Sequence, residues 1–241
     1  MLRVHSIETF GTHDGPGLRL VIFLQGCNIR CLYCHNPDLL DREGGNLMKR
    51  KDLIKIIEKQ REYFGANGGV TVSGGEPSLQ AKSLYKFFRS LNKRKIHTVL
   101  DTNGTIATDN VKKLYKKTDL LLLDIKHIDE KMHIKLTGAS NNNVLEMAKY
   151  RECMEKPMWL RYVLVPGWND EEKYIRALGE YFKDYKMIER LEILPYHTLG
   201  VYKYKELGMK YKLKKVVPPT KESIDKTKKI LSEYFAEVVV K

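Results

Sequence analysis

Short, nearly continuous apolar runs alternate along this chain with longer stretches in which apolar residues recur every three to four positions. Residues 18–25 are almost entirely apolar, the pattern of a strand buried on both faces. Residues 48–64 carry Leu53, Ile56, Ile57 and Tyr63 among charges, and 79–91 carry Leu84, Phe87, Phe88 and Leu91 on one side, so both predict amphipathic helices. The alternation continues with strands predicted over 68–75, 96–101, 119–126, 158–166 and 191–195, and helices over 106–117, 143–154, 171–185 and 221–235. Residues 4–10 form a strand ahead of the series, with Asp14-Gly15-Pro16-Gly17 as a turn, and 237–241 form a last strand.

Six strand-then-helix units are the pattern of a parallel sheet with helical crossovers, and six fall short of the eight that close a barrel. The expected fold is therefore α/β, a partial, open (β/α)6 TIM-like barrel, with a doubly wound open sheet as the competitor. Residues 1–241 are expected to form one domain, with an N-terminal strand and turn as an extension and a C-terminal helix. Pro218-Pro219 reads as a break at a helix entry, and there is no repeat or low-complexity linker.

Composition changes this picture little. Hydrophobic residues make up 42% and charged residues 30%, and no apolar run reaches the ~20 residues that span a bilayer. The first residues lack the basic-then-apolar pattern of a secretory signal, so a cytoplasmic, reducing location is expected, where four cysteines are a poor disulfide framework. The net charge of +13 raises nucleic acid as a partner, but most of the 43 basic residues are Lys on helical stretches, the pattern of a solvated surface. An acidic protein partner is the middle reading.

Chemistry gathers where the predicted strands end. Cys27, Cys31 and Cys34 follow the first unit's strand, then come Ser73-Gly74-Gly75-Glu76-Pro77, Asp101-Thr102-Asn103-Gly104, Asp124 with Lys126, Arg161, and Pro195-Tyr196-His197. Three thiols within eight residues indicate a metal site. Zinc in a structural role takes four ligands, and His35, adjacent to Cys34, is poorly placed to be the fourth, so the spacing favours an iron–sulfur cluster. Asp124 and Lys126 stand two apart, which on a strand sends both to one face. Cys153, in a helical stretch, is expected to be a free buried cysteine.

The run Cys27-Asn28-Ile29-Arg30-Cys31-Leu32-Tyr33-Cys34 resembles the CxxxCxxC signature of the radical S-adenosylmethionine (SAM) superfamily. Asp14-Gly15-Pro16-Gly17, Cys34-His35-Asn36, the Gly74-Gly75-Glu76 run, Asp101-Thr102-Asn103-Gly104, Leu123-Asp124-Ile125-Lys126 and Leu194-Pro195-Tyr196-His197 narrow it. Together they resemble the pyruvate formate-lyase activating enzymes, the glycyl-radical activases.

That resemblance implies one 4Fe-4S cluster held by Cys27, Cys31 and Cys34, with one iron not bound by cysteine and open to SAM. It implies SAM contacts from Tyr33, Asn36, Gly74, Gly75, Glu76, Asp124, Lys126, Arg161 and His197, with Lys126, Asp124 and His197 nearest the chemistry. A monovalent cation at Asp101, Thr102 and Asp124 is implied too, as are contacts from Asp14 and His35 to the substrate's glycine loop. The reaction implied is reductive cleavage of SAM to a 5′-deoxyadenosyl radical, which takes a Cα hydrogen from a glycine of pyruvate formate-lyase. Another glycyl-radical enzyme as substrate, a radical SAM enzyme acting on RNA, and a zinc-binding interaction module are the alternatives. Flavodoxin or ferredoxin is the implied electron donor, and a monomer without membrane contact is expected. No second cysteine cluster exists, so the ferredoxin-like insert of some activases is absent.

Overall fold

The computed structural model describes residues 1–241, which divide into two compact units: Met1–Asn28 with Leu39–Leu122, and Ile29–Asp38 with Leu123–Lys241. In the first unit β1 (Leu2–Gly11) pairs antiparallel with β2 (Arg19–Leu24), and a short strand, β3 (Asn46–Met48), adds to the other edge of β1. β4 (Gly69–Gly74) lies parallel to β2, with Leu20 opposite Val70, and β5 (His97–Thr102) lies parallel to β4. Helix α1 (Arg50–Gln60) lies between β3 and β4, α2 (Ala81–Asn92) lies between β4 and β5, and α3 (Asp109–Lys117) follows β5. Leu84, Phe87, Phe88 and Leu91 of α2 are completely buried, so the predicted stripe is the packing face. Truncating either phenylalanine would cost about 3–5 kcal/mol.

The turn between β1 and β2 is held by an unusual group. Arg19 is fully buried, and its guanidinium donates to the carbonyls of Pro16 at 2.8 Å and Val70 at 3.0 Å. Thr71 Oγ1 donates to the carbonyl of Asp14 at 2.6 Å. Burial brings the Arg19 pKa down to about 10, against the pull of Asp14 and Asp119. The loop 14–17 is thus pinned to the sheet, which a simple reverse turn would not require.

β6 (Leu120–Asp124) begins in the first unit and ends in the second. The second unit continues with α4 (Glu130–Thr137), α5 (Asn142–Cys153), β7 (Met158–Leu164), α6 (Glu172–Phe182) and β8 (Ile188–Pro195). It closes with α7 (Val201–Glu206), α8 (Lys221–Leu231) and β9 (Val238–Val240). β7, β8 and β9 are parallel. Leu160, Tyr162 and Leu164 of β7, with Leu191 and Ile193 of β8, are buried. Arg161 and Glu192 alternate with them on the opposite face. Strand order is β3-β1-β2-β4-β5-β6-β7-β8-β9, so the sheet is mixed and open, with β3 and β9 at its ends.

Three expectations need correction. Strand β6 stops at Asp124, so Lys126 is not on it, and the two-residue same-face argument does not apply to this pair. Cys153 is exposed: it is the last residue of α5, whose buried side is Val144, Met147, Ala148 and Arg151, and position 153 lies off that stripe. α4 and α7 were not expected. α4 is set by its ends, an Asp129 carboxylate accepting from Met132 N–H at 2.9 Å and Gly138 at φ 78° closing it.

Candidate functional site

β2 delivers the chain into the cysteine loop, in which Cys27 belongs to the first unit and Cys31 and Cys34 to the second. All the cysteines are free thiols. In the first unit Cys27 is buried, and the end of β4 packs directly on the start of its loop. Gly75 N–H donates to Leu24 O at 3.0 Å and Glu76 N–H to Gly26 O at 2.8 Å. A Cβ on Gly75 would run into the Gly26 carbonyl, and Gly74, at φ 122°, would meet the backbone of Leu24. The paired glycines are therefore required by close backbone approach.

Glu76 is completely buried and accepts three bonds: Ser78 N–H at 2.8 Å, Thr102 Oγ1–H at 2.7 Å and Asn103 N–H at 2.7 Å. Burial raises its pKa while these donors lower it, and burial prevails. Its side chain thus ties the end of β4 to the end of β5. Ser73 Oγ donates to Asp101 Oδ2 at 2.6 Å, and Asn103 Nδ2 donates to Asn28 Oδ1 at 3.1 Å, next to Cys27.

In the second unit residues 29–38 hang on the end of α4, with Arg30 N–H donating to Thr137 O at 2.7 Å and Leu32 N–H to Leu136 O at 2.9 Å. Tyr33 packs in a cluster with Leu136, Val165, Tyr196, Tyr204, Tyr211 and Leu213, and its hydroxyl is buried without a hydrogen-bond partner. Burial raises the Tyr33 pKa. Lys126 Nζ stands 5.8 Å from the Tyr33 ring centroid and 2.8 Å from Asp124 Oδ2. Burial pulls the Lys126 pKa down, but Asp124, Tyr33 and Cys31 together more than offset it and the net shift is upward, so this ammonium stays charged.

His35 and His197 lie ring to ring, centroids 3.8 Å apart, and His35 Nε2 is 2.8 Å from the His197 carbonyl, which makes that nitrogen the protonated one. Burial lowers both pKa values. Arg161 Nε donates to Glu192 Oε2 at 3.1 Å, and Glu192 has no exposed surface. Asn36 Oδ1 accepts from Lys203 Nζ at 3.0 Å. Within the second unit the structure joins His35 with His197 and Asp124 with Lys126. Within the first it places Asp101 and Thr102 on separate partners, Ser73 and Glu76. Within neither unit do three or more His, Cys, Asp or Glu side chains group in a way that would hold a metal ion.

Sequence reasoning missed Glu192, Lys203 and Arg19. For Glu192 and Arg19 a signal existed, since each is a charge inside an apolar strand run. Lys203 carries none, being one Lys among many.

Residues 21–178 match the model of the radical SAM superfamily. The chain belongs to that family. It is 44% identical over 240 residues, 98% of both chains, to the pyruvate formate-lyase 1-activating enzyme of Escherichia coli (strain K12). It is 46% identical over 229 residues, 92% of this chain and 91% of the relative, to the pyruvate formate-lyase-activating enzyme of Staphylococcus aureus (strain USA300). In fold it resembles Streptococcus suis SuiB bound to S-adenosylmethionine, with TM-score 0.72 and 18% identity over 98% of this chain and 52% of that one. These relatives do not favour an RNA-modifying enzyme or a zinc module. Radical SAM membership implies a 4Fe-4S cluster and SAM. The donor set suits the cluster: three free cysteines on one loop, the sulfur ligands such clusters take.

Proposed function

We propose that this protein is an activase that installs the glycyl radical of pyruvate formate-lyase. The observation that carries the proposal is the identity of 44–46% to activating enzymes along nearly the whole chain, together with the three-cysteine loop. Cys27, Cys31 and Cys34 would hold the cluster, leaving one iron without a cysteine for SAM. When bound, the cluster and SAM supply a carbon radical able to take a glycine Cα hydrogen.

The chain's own residues do the placing. Asn36, Tyr33, Gly74, Gly75, Glu76, Asp124, Lys126, Arg161 and His197 would surround SAM. The Lys126 ammonium, held charged by Asp124, offers a donor to a carboxylate or ribose oxygen. Glu76 acts by fixing the backbone of its own motif, because its carboxylate is committed to Ser78, Thr102 and Asn103. Asp14, on its pinned turn, and His35 would meet the glycine loop, and Asp101, Thr102 and Asp124 would serve a monovalent cation. A flavodoxin or ferredoxin would deliver the electron. We place the protein in the cytoplasm as a monomer; no helix is long and apolar enough to cross a membrane.

The test is anaerobic: reconstituted protein, SAM, a reductant and pyruvate formate-lyase should give the electron-paramagnetic-resonance doublet of a glycyl radical. No doublet, with the cluster intact and SAM bound, would remove pyruvate formate-lyase as the substrate.

A further inference from the structure

Residues 34–38, directly after the last cysteine of the loop, are gripped by one distant segment, residues 197–204. Tyr204 Oη donates to the Cys34 carbonyl at 2.9 Å, and Tyr204 is itself buried. His35 is held by the His197 carbonyl and by Gly200, where a Cβ would sit 2.5 Å from His35 O and 2.9 Å from its Cα. Lys203 Nζ, on α7, reaches Asn36 Oδ1 at 3.0 Å and both oxygens of Asp38 at 3.1 Å. An ammonium has three N–H donors and no acceptor, and here it has three acceptors.

The arrangement decides which way Asn36 points. An amide group is nearly symmetric in shape, and its orientation follows from its partners. Since Lys203 only donates, the Asn36 oxygen must face it, and the NH2 group is turned to the opposite side. The Lys203–Asp38 pair anchors the lysine, with both side chains about one-quarter exposed. A pair so open to water adds little to folding stability, commonly about 0–1 kcal/mol. Its consequence is therefore orientation more than stability.

We propose that Lys203 is a positioning residue that fixes the Asn36 amide with its donor side toward bound SAM. This rests on the assignment of Asn36 to the SAM site made above. Lys203 touches neither cluster nor SAM in this scheme; it acts through Asn36 and the loop.

The test compares Lys203→Met, which keeps the apolar stem without donors, with Lys203→Arg, which restores charge and donors. In the reconstituted Met variant, iron content and Tm should stay at wild-type values. KM for SAM should rise about tenfold while kcat changes by less than about twofold, because what is lost is ground-state placement. The Arg variant should recover most of the KM. A second measurement needs no cluster: in the apo protein, amide hydrogen exchange over residues 34–39 should be faster in the Met variant than in wild type. Unchanged KM with unchanged exchange overturns the proposal, and so does faster exchange with unchanged KM, which would make Lys203 a loop support only. Loss of iron in the Met variant also overturns it. If the wild-type holoenzyme itself failed to bind SAM, the functional assignment would fall, and apo exchange in the Met variant equal to wild type would then remove the hold of Lys203 on the loop as well.

Discussion

Lys126 and Asp124 form an ion pair, Nζ to Oδ2 at 2.8 Å, in which the side chains are only 13% and 18% exposed. The Asp124 carboxylate helps to keep the enclosed ammonium charged, and Tyr33 lies against that ammonium. Asp124→Asn leaves the lysine charge enclosed without this partner and should destabilise the protein by about 2–3 kcal/mol in denaturant unfolding. Replacing both, as Asp124→Asn with Lys126→Met, should cost less than the sum of the single changes. Additive costs would show that the pair is not coupled.

The Glu76 carboxylate depends on its donors. Thr102→Val removes the hydroxyl 2.7 Å from Oε1 and leaves a buried acceptor short of one bond, at a cost of about 1–2 kcal/mol. It should also raise the Glu76 pKa further, since burial is no longer opposed by that donor. A Glu76 carboxyl whose titration, followed by isotope-edited infrared spectroscopy, is unmoved in this variant would contradict the assignment.

Much of this was legible in the amino-acid pattern. β2 is legible because Leu20 to Leu24 is an unbroken apolar run, and α2 because the Leu84–Leu91 stripe is periodic and strongly apolar. α4 escaped because its buried residues are His133, Leu136 and Thr137, two of them polar, and its stability comes from the ends. α7 buries only Tyr204, so no stripe marks it. At the site, the cysteines and glycines are visible because chemistry and close approach demand particular residue types. Lys203 and Glu192 matter through partners 165 and 31 residues away in the chain, respectively, and no local pattern records that.

Two enclosed histidines set an acid limit. His127 and His133 are each 1% exposed, and burial lowers both pKa values below the ordinary 6.5. His127 Nδ1 accepts from Asp129 N–H at 2.9 Å, so charging it would set one N–H against another. A lowered folded pKa means the unfolded chain binds more protons in acid. The stability from keeping these rings neutral is present above 6.5 and is lost as pH falls through the folded values. Tm should drop by about 5 °C or more between pH 7 and pH 5.5, and His127→Gln should flatten that slope. An equal slope in the variant would show that other groups carry the acid loss.

The four cysteines should separate cleanly. Cys27→Ala, Cys31→Ala and Cys34→Ala should each lower bound iron well below the about four atoms of a complete cluster. Cys153→Ser should bind iron and act as wild type, because Cys153 is exposed at the end of α5. Cys153 should also be the thiol alkylated fastest in the intact holo protein. Iron loss in Cys153→Ser would show that it shares in ligation.

Among the charged groups outside the cysteine loop, Glu192 gives the largest expected effect on stability. Its carboxylate has no exposed surface and faces three cations: Arg161 Nε at 3.1 Å, Lys241 Nζ at 3.6 Å and Arg190 at 3.9 Å. An enclosed carboxylate is tolerated only because cations surround it, and the converse holds for Arg161, itself 8% exposed. Glu192→Gln keeps the shape and removes the charge, leaving these cations to repel one another, and should cost about 3 kcal/mol in unfolding. Since Arg161 is assigned to SAM, KM for SAM should rise as well, with Arg161 no longer held in place by a carboxylate. Restoring the charge one methylene shorter, as Glu192→Asp, should recover part of the stability but less of the KM, because placement of Arg161 depends on reach as well as charge. Glu192→Gln with wild-type stability would mean that the cations around it are paired well enough without the carboxylate.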